Sequence, residues 1–184
     1  RFGMWDELIR EPLPRDQKLF CVTTAMWQYG KCVALVNTND LQAADKQRAD
    51  FYDALARVPD TRYLFNNRCT DILKIATSML EGEFAYRQGS YEKAFEHLRE
   101  SVELDDNLPY DEPWAWMQPT RHALGALLLA QDRLTEAEQV YREDLGFDER
   151  VQRASQHPNN VWSLHGLHES LVKQGKTDEA TLIK

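Results

Sequence analysis

Three alanines recur at equal intervals in this chain. Ala94, Ala137 and Ala180 stand 43 residues apart. Each closes the same phrase: Gly89-Ser-Tyr-Glu-Lys-Ala94, Asp132-Arg-Leu-Thr-Glu-Ala137 and Gly175-Lys-Thr-Asp-Glu-Ala180. Self-similarity over tens of residues marks a stacked array. A unit of that size cannot bury its apolar face alone, so it stacks on its own copies. The rhythm therefore constrains architecture first, and function only to something done by a surface.

Composition removes several function classes. The 184 residues carry a net charge of −8, with acidic and basic groups interspersed. No Lys/Arg block is present, which argues against a nucleic-acid surface. No apolar run of about 18 residues appears, so no membrane span is expected, and no signal peptide is recognisable. Cys21, Cys32 and Cys69 form no CxxC pair. Buried free thiols in a reducing, cytoplasmic setting are the expectation, with a disulfide or a catalytic thiol as the alternatives. The chain opens at Arg1 inside a helical phrase, so a C-terminal piece of a longer repeat protein is expected.

Helical periodicity dominates the chain. Residues 3–9 read as a helix ended by Pro12 and Pro14, and residues 16–37 as a long helix. Asp40 caps the next helix, which carries Ala44, Phe51 and Leu55 and stops at Val58-Pro59-Asp60. Residues 60–68 read as a loop or short turn. Helices follow over 69–88 and from Tyr91 to about Leu104. A polar connector spans 105–113, and a helix after Pro119 runs to Gln131. Helices over 134–145, 161–174 and 178–184 complete the reading, with a long connector over 146–160.

These pairs resemble tetratricopeptide repeats. The phrase Arg121-x-x-Leu124-Gly125-x-x-Leu128 with Ala137-x-x-x-Tyr141 carries the likeness best. Gly82, Ala85, Ala94 and Leu98 match in the preceding unit. Leu164, Leu167, His168, Leu171 and Ala180 match in the last, and Cys32, Leu35 and Ala44 match less well in the first. Small residues at Gly82, Gly125, Ala94 and Ala137 let paired helices approach. The family period is about 34 residues, so the excess here falls in the connectors. Two of these, Tyr110 to His122 and Gln156 to Gly166, look like those of a bacterial and fungal group of such proteins to which no activity is attached. The resemblance implies an all-α, right-handed solenoid of antiparallel helix pairs with extended connectors, one domain over 1–184, and more repeats before Arg1.

In that family the first helices of successive units line a concave groove. Alignment on Gly82, Gly125 and His168 brings equivalent positions together. Met79, His122 and His165 lie three residues before the anchors, and Glu83, Ala126 and Glu169 one after. Tyr86, Leu129 and Val172 lie four after, and Trp162 six before the last. The resemblance thus nominates Met79, Glu83, Tyr86, Trp116, Arg121, His122, Trp162, His165 and Glu169 as groove residues. Two readings of them stay open. One is a non-enzymatic scaffold that binds a peptide or protein partner. The other is a small-ligand or metal site, or an enzyme, using His122, His165, Glu169 and Arg121. His168 is expected between helices, and His157 exposed or as a loop-fixing donor. Self-association through the solenoid ends is a third possibility.

No GxxxxGK[ST], GxGxxG, HExxH or GxSxG is present, so no phosphate cradle, cofactor or catalytic residue is assigned. The basic clamp that some of these domains use for acidic chaperone tails is absent.

Overall fold

The computed structural model describes residues 3–183. The opening at Arg1 and the Lys184 end of the last expected helix lie outside them. The chain is mostly helical: α1 (Trp5–Arg10), α2 (Cys21–Asn37), α3 (Leu41–Leu55), α4 (Cys69–Arg87), α5 (Tyr91–Asp106), α6 (Thr120–Ala130), α7 (Leu134–Leu145), α8 (Val161–Lys173) and α9 (Thr177–Leu182). Two short strands, β1 (Tyr63–Leu64) and β2 (Asn67–Arg68), pair antiparallel between α3 and α4. The chain divides into two compact units, Arg1–Ala115 and Trp116–Lys184.

One turn geometry recurs four times. Asn39, Gly89, Asp132 and Gly175 all have positive φ, between 53° and 78°. The next residue of each turn donates its N–H back five residues: Asp40 to Leu35, Ser90 to Ala85, Arg133 to Leu128 and Lys176 to Leu171, at 2.9–3.0 Å. This is the left-handed helix stop that satisfies the orphan carbonyls of a last turn. The following helix then begins with Ala44, Ala94, Ala137 and Ala180 bonding back to the cap carbonyl at 2.9–3.0 Å. All four alanines are buried. The first pair, a poor match by residue type, is therefore built like the other three.

Glycine sets how closely the paired helices approach. A methyl group on Gly82 would lie 2.7 Å from Leu98 Cγ, and one on Gly125 would lie 2.6 Å from Tyr141 Cζ. Leu98 and Tyr141 each stand four residues after the repeat alanine. Tyr141 also meets α8, where a methyl on Gly166 would fall 2.1 Å from its ring. In the first unit α4 packs on both α2 and α5. Twelve of its nineteen residues are buried, as a helix covered on more than one face requires. Phe51, Leu73, Ile75, Leu80, Phe95 and Leu98 fill that core, and Leu128, Leu167 and Leu171 fill the second.

Three local expectations need correction. Residues 16–20 do not extend α2. The Asp16 carboxylate accepts the Lys18 and Leu19 N–H groups at 3.2 and 2.9 Å, an alternative to helix that short polar side chains offer. Residues 60–68 are more than a loop, because they hold the hairpin. Pro119 precedes α6 as its cap, with ψ 122°, and is not its first helical residue. The Asp40 cap is as expected, its side chain accepting from the Ala43 N–H at 3.0 Å.

Candidate functional site

A dense polar cluster of the second unit centres on Asp144, in the last turn of α7. Its side chain is 1% exposed. Oδ2 accepts from His122 Nε2 of α6 at 3.1 Å and from Ser163 Oγ of α8 at 2.5 Å. Oδ1 accepts from His157 Nδ1, in the connector, at 2.9 Å. The Asp144 carbonyl also accepts the His157 N–H at 2.6 Å. An ionised carboxylate only accepts, so both imidazoles present an N–H to it and each tautomer is set. Burial pushes the Asp144 carboxyl up, but the donors from His122, His157 and Ser163 outweigh it and hold the group well below the ordinary range.

Ser, His and Asp are all present, yet their order is wrong for nucleophilic catalysis. A nucleophilic serine donates to a histidine that an aspartate orients. Here Ser163 donates directly to the carboxylate, and Ser163 is fully buried. The cluster joins α6, α7, the connector and α8; its chemistry is that of a clamp. His157 is the loop-fixing donor expected of it.

Arg121 is buried next to the clamp, with Nε 3.5 Å from Glu143 Oε2. Tyr141 is buried between its glycines, and burial raises its phenol above the usual range. A second knot surrounds Glu138. Lys176, Gln174 and Arg142 donate to it at 2.6, 2.7 and 2.9 Å, which ties α7 to the α8–α9 turn. Burial opposes ionisation of Glu138, and these donors outweigh that effect.

The remaining nominated residues fall into distinct environments. On α8, Trp162 is 44% exposed, His165 is exposed, and Glu169 pairs with Lys173 at 3.4 Å. Val172 is exposed on the same helix. These four stand at i, i+3, i+7 and i+10, one face of a helix. Ser163, Gly166, Leu167, Ser170 and Leu171 fill the opposite face. His168, between the two, is partly buried. Trp116, from the preceding connector, is buried.

In the first unit, Met79 is buried, with its sulfur 3.3 Å from Ser101 Oγ. Tyr86 is buried edge-on to Tyr91 and Phe95. Glu83 accepts from Asn37 Nδ2 at 3.4 Å, and Arg87 donates to Asn37 Oδ1 at 2.7 Å. Burial raises the Glu83 carboxyl pKa. All three cysteines are buried free thiols, and burial pushes Cys32 up to about 12. Among the described residues, no three His, Cys, Asp or Glu are grouped to hold a metal ion, and no helix is long and apolar enough to cross a membrane.

Asp144, Ser163 and Gly166 were not singled out by sequence. Asp144 stands in Arg142-Glu-Asp144, a charge run indistinguishable from a solvated helix end. Only the His-Pro-Asn-Asn connector that faces it hinted at a built polar site.

The fold and this clamp define a mostly helical chain of tightly turned helix pairs. No family model matches it, and neither a curated protein nor a solved structure does.

Proposed function

We propose that the chain is a tetratricopeptide-like scaffold that binds a peptide or partner protein through the first helices of its pairs. The observation that carries this reading is the outward face of α8. Trp162, His165 and Val172 are exposed along one line, and the opposite face of the helix is packed through the clamp and the Gly166 contact. An aromatic and imidazole stripe on a preorganised helix binds with little ordering cost. The four-fold turn supports the array reading, because each pair repeats the same backbone solution. The small-ligand or catalytic alternative draws less support. His122 and Arg121 are engaged with Asp144 and Glu143, and His165 is turned to solvent.

Selection from a random peptide library against the whole protein tests this. Peptides should be recovered whose binding falls at least tenfold in a Trp162→Ala/His165→Ala variant of unchanged circular dichroism. Recovery of no binder, or binders indifferent to the variant, overturns the reading.

A further inference from the structure

The outer end of the α8 face is charged in a way the helix alone does not require. Lys173 Nζ lies 3.4 Å from Glu169 Oε1 and 3.8 Å from Asp132 Oδ1. Asp132 comes from the α6–α7 turn and its side chain is 83% exposed. Two carboxylates thus share one ammonium at distances longer than a good charged hydrogen bond, and one negative charge is left over. Trp162 stands seven residues before Glu169, about 10 Å along the helix at 1.5 Å per residue. A partly exposed indole is the best side-chain surface for a cation.

We propose that the α8 face takes a basic peptide. One Lys or Arg side chain lies on the Trp162 indole, and a second bridges Glu169 and Asp132 beside Lys173. A polyproline-II peptide advances about 3.1 Å per residue with three residues per turn, so two basic residues three apart stand on one face, about 9 Å from each other. The net charge of −8 favours such a ligand at long range and disfavours an acidic one. This rests on the reading that α8 presents the binding surface, and it names the chemistry of what binds there.

Fluorescence anisotropy of a fluorescein-labelled Gly-Arg-Ala-Ala-Arg-Gly peptide tests it, with citrulline-for-arginine and Glu-for-Arg peptides as comparisons. The arginine peptide should bind at least tenfold more tightly than either. Glu169→Gln with Asp132→Asn should remove most of that preference, as should Trp162→Ala. Glu96→Gln, an exposed carboxylate on α5, should leave it intact. Both substitutions in the carboxylate pair keep the side-chain shape, and asparagine tolerates the positive φ at 132. Equal loss in Glu96→Gln, or no loss in the α8 variants, overturns the proposal as general charge attraction. Library peptides that need Trp162 and His165 yet carry no basic pair overturn it too, while leaving the scaffold reading standing.

Discussion

Gly125 and Gly166 are glycines because the Tyr141 ring lies between them. The shortest distances a methyl would make, 2.6 and 2.1 Å, are below any real contact, and the obstacle is a ring buried on all sides. Gly89 and Gly175 are glycines for another reason. Nothing lies within 4 Å of the position a Cβ would take at either, but their φ of 78° and 75° costs an L-residue about 1–2 kcal/mol. The two kinds separate by experiment. Gly166→Ala should cost about 1–3 kcal/mol in urea unfolding through overpacking. Shortening its neighbour in a Gly166→Ala/Tyr141→Leu double variant should give a loss clearly smaller than the sum of the single losses. Gly89→Ala should cost about 1 kcal/mol and gain no relief from trimming any neighbour. A Gly166→Ala variant as stable as the parent would contradict the packing account.

At the level of elements, the hairpin shows what a helical reading leaves out. Phe65 sits at its tip with φ 50°, a conformation bulky residues avoid, and it is exposed. The strain is held by a strap. The Asp111 carboxylate accepts the Asn66 N–H at 3.2 Å and Asn67 Nδ2 at 2.6 Å, while Asn67 Nδ2 also reaches the Pro109 carbonyl at 2.8 Å. Asp111→Ala should therefore free residues 63–68. Hydrogen exchange there should rise at least tenfold, and chymotrypsin should cut at Phe65, with α2 and α3 protected as before. Unchanged exchange over 63–68 would mean that the hairpin holds itself. Helices were legible in the chain because apolar spacing and Gly or Pro breaks are local. The turns at Gly89 and Gly175 were legible for the same reason. Asn39 and Asp132 adopt the same left-handed turn with other residues: the run Asn37-Thr-Asn-Asp40 reads as a turn by its residue types, and the 43-residue interval locates Asp132. The strap was not legible: its partners are more than forty residues apart, and Asn66, Asn67 and Asp111 each read as ordinary loop residues. The α8 stripe was nominated by register alone. The buried side that makes it rigid depends on Asp144 and Tyr141, which lie on a different helix.

For the molecule as a whole, the Asp144 clamp links backbone folding to acid. In the unfolded chain this carboxyl titrates near 3.8, and in the folded chain well below it. A depressed folded pKa contributes stability that is fully present above about pH 4 and is lost as pH falls through the folded value. Donors from three separate segments converge on it, so the loss is not confined to one helix. Asp144→Asn keeps the shape but removes the charge and forces one donor to face an N–H group. At pH 7 it should cost about 2–4 kcal/mol, the range for breaking charged hydrogen bonds in a buried site. As pH falls below about 4 the parent protein begins to lose its own advantage, so the gap between parent and variant should narrow. Urea midpoints measured from pH 7 to pH 3 read this directly, and a gap independent of pH would refute the linkage. Hydrogen exchange locates the effect. Protection should fall across α6, α7 and α8 in the Trp116–Lys184 unit, and the α2–α5 amides should change little. The exposed line of Trp162, His165 and Val172 owes its fixed geometry to that same unit. If α8 binds as proposed, a variant that loosens the clamp should weaken that binding at pH 7, although Asp144 lies on the buried side of the helix.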